Sequence, residues 1–205
     1  MALSIRDKLR AARDKIAIPK DRQQAAQMFN RAKEWFKTRL RNLIHGKEDD
    51  EVEVLHSYAG MKSKIADPFG RLSFFIYNAE NDKKLPYWDA APLTLLYGED
   101  NDHIYGLNFH YVHPTIRAKI LSSFIDSMLY ANSERAYIAV TSSTMKALSN
   151  SRYIKPCLKT YLKSNFVTAP VVIKPEFWHN AIMLPTAQWT RASNSKVWKD
   201  SASKF

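Results

Sequence analysis

Three histidines, His103, His110 and His113, fall close together in a chain of 205 residues. Imidazole is a common metal ligand and general base, so this cluster is the first candidate for chemistry. In a strand, His110 and His113, three positions apart, would face opposite sides, and Pro114 argues against a helix that would bring them together. Packing with one satisfied ring nitrogen is the better reading, and no metal is expected. Just upstream, Glu99, Asp100 and Asp102 place three carboxylates in one turn. Such groups hold the divalent ions of nucleases, although a solvated turn accounts for them more simply. Asp89 follows two aromatic residues and suits a turn cap or an acceptor for backbone donors. Cys157 is the sole cysteine and has no base near it in sequence, so a buried, inert thiol is expected. One cysteine excludes an intrachain disulfide framework and a Cys-cluster zinc site, and suits a reducing compartment. There are only five glycines and no phosphate-cradling loop of the P-loop or Rossmann type. HExxH, GxSxG and CxxC are also missing, which argues against nucleotide hydrolysis, dinucleotide chemistry and common hydrolase mechanisms.

Charge is the stronger signal. The chain carries +11 overall, and the excess sits at its ends. Residues 1–47 hold 13 Lys/Arg against 4 Asp/Glu, and residues 191–205 hold 4 against 1. Residues 48–190 hold 14 against 15, a near-neutral body. Cationic ends on a neutral body point to a polyanion, since Lys and Arg gain sequence-independent affinity for phosphates by counterion release. A basic amphipathic helix also suits an acidic protein groove or an acidic membrane surface. The RNP1 pattern, the KH loop and C2H2 spacing are absent, so base-specific readout is not expected.

The elements that must position these residues follow from periodicity. Residues 3–17 suit a helix with Ile5, Leu9, Ala12 and Ile16 on one face, Arg6, Arg10 and Arg13 on one flank and Lys8 and Lys15 on the other. Pro19 interrupts it. A second helix is expected over residues 21–44, with Ala25, Met28, Phe29, Ala32, Phe36, Leu40 and Leu43 inward. Lys33, Lys37 and Arg41, each four apart, form a cationic line beside that face. Trp35 and Phe36 are expected to pack rather than to stack bases. The segment 47–53 is charged and polar and has the composition of a hinge between a basic arm (1–47) and the body (48–190).

The body changes period. Val52 and Val54 alternate, and 71–77, 92–97 and 103–112 suit strands joined by polar turns. Gly106 marks a bulge or a close backbone approach. Pro114 opens a helix to about Tyr130 with Ile116, Ile120, Leu121, Phe124 and Met128 on its apolar face. Residues 134–148 and 153–162 suit helices, 167–173 an edge strand because of Pro170, 176–181 a helical turn and 182–184 a short strand. Residues 191–205 suit a basic tail. The expected fold is α+β: a small twisted antiparallel sheet or partly open barrel packed with helices, preceded by a basic helical N-terminal arm. No run of about 18 apolar residues occurs, so no membrane span is expected. The Arg-rich N-terminus has some character of a mitochondrial presequence, but Asp7 and Asp14 count against that.

The motifs Phe75-Ile76-Tyr77, Leu85–Asp89, Pro92–Leu96 and Gly106–Tyr111, in that order, resemble the DNA end protector proteins, a group of head-completion proteins of T4-like tailed phages. Lys155-Pro156-Cys157 with Tyr161-Leu162, and Ala181–Pro185 before a basic end, are similar too. The resemblance covers residues 71–190 in patches; Ala90-Ala91 stand near where the family pattern has a bulky aromatic. It implies a non-enzymatic virion protein, without cofactor, that binds the ends of packaged linear double-stranded DNA. The protein would shield those ends from exonuclease and assist head completion by steric occlusion. Its place would be the phage head or neck, and the host cytoplasm during assembly. Other head or neck proteins are the implied partners, and a homo-oligomer is a candidate assembly. The resemblance does not reach the basic arm and assigns no DNA-contacting surface; from charge and helical spacing, the residues expected at the DNA are Arg6, Arg10, Arg13, Lys33, Lys37 and Arg41. The alternatives are a head–tail connector or capsid component whose basic helices dock on another protein, a metal-dependent nuclease using the acidic turn, and an RNA-associated factor.

Overall fold

The computed structural model describes residues 5–45, 47, 51–54, 70–131, 143–151, 154–184, 189 and 191–203. Two helices, α1 (Ile5–Lys15) and α2 (Arg22–Ile44), lead into strand β1 (Val52–Val54). The body continues with β2 (Leu72–Phe74), β3 (Leu93–Glu99), β4 (His103–Asn108), α3 (Pro114–Tyr130) and α4 (143–149). It ends with β5 (Leu158–Leu162), β6 (Val171–Ile173), α5 (Trp178–Ala181) and α6 (Asn194–Ser203). The strands form one sheet in the order β1-β6-β2-β3-β4-β5. Every pairing is antiparallel. β1 and β5 are its edges, so the sheet is open and the fold is α+β, as the sequence predicts.

Alternation along the strands builds two cores. Leu72, Phe74, Leu93, Leu95, Leu107, Val171 and Ile173 face a main core shared with α1, α3 and α5. Phe75, Tyr77, Leu96, Ile104 and Tyr161 make a smaller aromatic cluster on the reverse face. There Phe75 stacks on Phe166 at a centroid distance of 4.4 Å. Between β3 and β4 the register slips from Leu96↔Gly106 to Gly98↔Tyr105, so Tyr97 is the extra residue of a bulge. Gly106 serves the close approach: a Cβ there would lie 2.1 Å from Thr94 Cγ2.

Leu9, Ala12 and Ile16 seat α1 in the main core. α2 packs through Ala32, Trp35 and Phe36, with Phe36 edge-on to Phe74 at 5.1 Å; both aromatic residues pack, as expected, although Trp35 lies outside the inward set read from the sequence. The indole of Trp35 donates to Glu51, and Arg39 pairs with the same carboxylate at 2.8 Å. These contacts fasten α2 at the β1 edge. None of the described helices is long and apolar enough to cross a membrane.

Several local expectations change. The 103–112 strand stops at Asn108, whose side chain accepts from His110 N and starts a 3-10 turn, Phe109–Tyr111. Residues 158–162 form β5 rather than a helix, because β4 offers an edge to which all five residues pair. β6 is an interior strand rather than an edge. Pro170 lies just before it, so no ladder donor is lost. Residues 182–184 are turn and coil, not a strand. The C-terminal segment forms α6, opened by Ser193, whose hydroxyl accepts from Lys196 N. On α3, Ile116 is exposed and Arg117 is buried. Of the 134–148 helix, 134–142 lie outside the described residues. So do residues 48–50 of the connecting segment 47–53, and the side chains of Ile5, Leu40 and Leu43.

Candidate nucleic-acid interface

An α-helix that buries one stripe must present the opposite stripe to solvent. On α2, Ala32, Trp35, Phe36 and Arg39 face the body. Lys33, Lys37 and Arg41 are exposed, and a rotation of 100° per residue places them on the far side. Lys37 also pairs with Glu34 at 2.8 Å. That contact holds the Glu34 carboxyl below its ordinary range, first by hydrogen bond and then by charge. On α1, Arg6 and Arg10 are exposed, the latter 3.7 Å from Asp7. Pairs this open to water are weak and exchange readily for other anions.

Arg13 stands apart from this set. Its Nε donates to Asp126 of α3 at 2.9 Å, so it ties α1 to the body as well as adding charge. The structure thus gives two solvent-facing groups on separate helices, Arg6 with Arg10 on α1 and Lys33 with Lys37 and Arg41 on α2. Where α1 ends, a groove of about 400 Å³ runs between the two helices and α5. Lys15, Arg31 and His179 line it with Gln24, Gln27 and Asn180. Burial, then the charge of Lys15, lowers the His179 pKa, and Lys15 and Arg31 give the groove two cationic lining residues. No sequence spacing relates Lys15, Arg31 and His179, because they approach one another only through the α1–α2 turn and α5.

The three histidines separate. His103 meets Asp100 in the β3–β4 turn at 3.1 Å. His113 caps α3 by accepting from Thr115 N at 3.3 Å. His110 is fully buried, and its Nδ1 donates to Asp89 Oδ2 at 2.7 Å. Asp89 also accepts from Ala91 N at 3.2 Å and Asn108 Nδ2 at 3.0 Å. Asn108 Nδ2 reaches the Tyr161 hydroxyl at 3.1 Å, which in turn meets Thr94 Oγ1 at 3.4 Å. This network joins the 85–89 loop to the end of β4 and so ties together two of the motifs that carry the resemblance. The expected backbone contact of Asp89 is present, but its partnership with His110 is not legible in the sequence.

The acidic turn is also internally occupied. Asp100 accepts from the Tyr105 hydroxyl and from Asp102 N and His103 N, which together hold its carboxyl far below the ordinary range. Glu99 pairs with Lys163 at 2.8 Å. Among the described residues, no group of His, Cys, Asp and Glu has the arrangement of a metal site. Arg117 donates to the carbonyls of Val112, Ile182 and Leu184; burial pulls its pKa down to about 9. It is a structural cation hidden from any ligand.

The family model described as Phage T4 terminal DNA protecting protein matches residues 3–201. The match takes in α1 and α2, beyond the 71–190 patches of motif resemblance. No curated protein and no solved structure matches the chain. With nearly its whole length matched, the chain belongs to the Phage T4 terminal DNA protecting protein family.

Proposed function

We propose, from that membership, that the chain is a non-catalytic virion protein that occupies the ends of packaged linear double-stranded DNA and shields them from exonuclease. The observation that carries this reading is the exposed cationic stripe of Lys33, Lys37 and Arg41 on α2, with Arg6 and Arg10 on α1. These side chains would neutralise phosphates along the last turns of the duplex. Arg13 contributes from behind, through the position it gives α1. Protection follows from occupancy: a nuclease that must thread or grip the terminus finds its footing covered. The body, whose net charge is close to zero, would face other head or neck proteins and help to complete the head. A second copy of the chain is one candidate neighbour. A division of the chain into a basic helical region (1–47), a body (48–190) and a basic end (191–205) serves the same proposal.

The rival reading is a neck or connector component whose basic helices dock in an acidic groove of another virion protein. The same stripe supports it, because carboxylates and phosphates attract Lys and Arg alike. An exonuclease assay separates the two. Linear duplex saturated with protein should lose nucleotides from its ends far more slowly than bare duplex. Equal digestion rates under conditions of measured binding would favour the connector.

A further inference from the structure

Phosphate contacts alone do not distinguish a DNA end from its interior. A second site can. The 85–89 loop, the turn after β4, the start of β5 and α6 enclose a pocket of about 250 Å³, lined by Tyr87, Trp88, Tyr111 and Lys159 among others. That is just below the ~300–1,000 Å³ of sites for drug-sized ligands, so it suits a single ring system. Lys159 Nζ lies 3.8 Å from the Tyr111 ring centroid, and the Arg191 guanidinium 5.7 Å from that of Trp88. Lys83, Lys84 and Lys155 are exposed next to lining residues or their contacts. Among the described residues, the acids beside the pocket include Asp200, which pairs with Lys196 at 2.9 Å and meets the Tyr87 hydroxyl, and Asp89, buried behind it, whose charge acts on Tyr111.

The pocket walls are fixed from behind. Asp89, His110 and Asn108 lock the loop to β4. The Trp198 indole donates to His110 O at 2.9 Å and holds α6 in place. Tyr111 and Trp189 meet edge to face at 4.8 Å, which sets the Tyr111 ring plane. Aromatic walls with a cationic rim, on a rigid frame, are the combination by which proteins hold an unpaired base and its phosphate.

We infer that this pocket seats the base of a terminal nucleotide, with Tyr87 and Trp88 as the stacking surfaces and Lys159 and Arg191 at its phosphate. The inference rests on the DNA-end reading and supplies its selectivity. Inside a duplex both faces of every base are covered by neighbours. At an end one face is free and the terminal pair frays, so only an end offers a base to the pocket.

Two measurements on the full chain test this. The first uses linear duplex carrying 5-iododeoxyuridine at the terminal or a central position, crosslinked by light to wild-type protein and mapped by mass spectrometry. Terminal label should crosslink to Tyr87, Trp88 or Tyr111, and central label should not. Terminal crosslinks found only on α1 and α2 would overturn the inference. The second compares the affinity for linear duplex with that for closed circles of the same sequence. Trp88→Ala should lower the linear-over-circular preference by about tenfold, within the range for loss of one stacked base, with circle affinity retained. A preference kept in the folded variant would overturn the inference. So would a wild-type protein that binds lines and circles equally, which would leave general DNA binding standing. Wild-type protein that binds neither would instead remove the DNA reading itself. Should Trp88→Ala fail to fold, the crosslink map on wild-type protein decides alone.

Discussion

His110 Nδ1 and Asp89 Oδ2 lie 2.7 Å apart in the interior, on side chains 0% and 2% exposed. The pair joins two segments separated by 21 residues, and Asn108 adds a second bond to the same carboxylate oxygen. A buried carboxylate without such partners would be costly. Its presence therefore marks a connection that the fold depends on. Asp89→Ala leaves the imidazole and the Asn108 amide without their acceptor. It should lower unfolding free energy by about 2–4 kcal/mol, read by urea denaturation. A loss below about 0.5 kcal/mol would show that the network is dispensable.

Arg117 has the same character with opposite charge. It holds carbonyls of the turn before α3 and of the segment after α5. Arg117→Leu should cost about 2–4 kcal/mol by stranding those acceptors. The folded fraction should bind DNA as the wild type does, because the guanidinium is 2% exposed. Denaturant melts and a binding titration on the same preparation check both halves.

Gly106→Ala should destabilise by about 1–3 kcal/mol through overpacking. The added methyl meets Thr94 Cγ2 in the sheet interior, with Leu96 Cδ2 at 3.3 Å leaving little room to retreat. A thermal melt unchanged by the substitution would contradict the close β3–β4 approach.

Cys157 is buried, and desolvation raises its thiol from 9.0 to about 11. The protonated form is favoured at any pH well below 11, and only the thiolate attacks disulfides. At pH 8 a disulfide reagent should label native protein far more slowly than protein unfolded in guanidinium. Equal rates would place the thiol at the surface.

Much of the architecture is legible in the sequence because it follows from periodicity. The stripe of Leu9, Ala12 and Ile16, the alternation through β3 and the opening of α3 at Pro114 all appear where the pattern puts them. What escapes depends on partners remote in sequence. Residues 158–162 are drawn into a strand by the β4 edge. Trp198 becomes an anchor only because His110 O faces it. Arg117 looks like a surface charge until the carbonyls of Ile182 and Leu184 are brought to it. The cations Arg6, Arg10, Lys33, Lys37 and Arg41 are exposed, as a DNA-facing role requires. Lys159 is hidden in a body whose charges average to near zero, and Arg191, counted with the basic C-terminal segment, is brought to Trp88 only by the fold.

The central claim is that the exposed cations of α1 and α2 contact DNA phosphates, and the salt dependence of affinity tests it most directly. Duplex affinity would be titrated across salt concentrations for wild type and for a variant with Arg6, Arg10, Lys33, Lys37 and Arg41 changed to Gln. Every phosphate left without its cation should reduce the magnitude of the log–log slope by about 0.9, so the variant should bind more weakly and with a visibly flatter slope. Arg13→Gln, which breaks a half-exposed pair with Asp126, should change stability by only about 0–1 kcal/mol. A folded quintuple variant with unchanged affinity and unchanged slope would contradict the account and move the DNA interface away from the two helices.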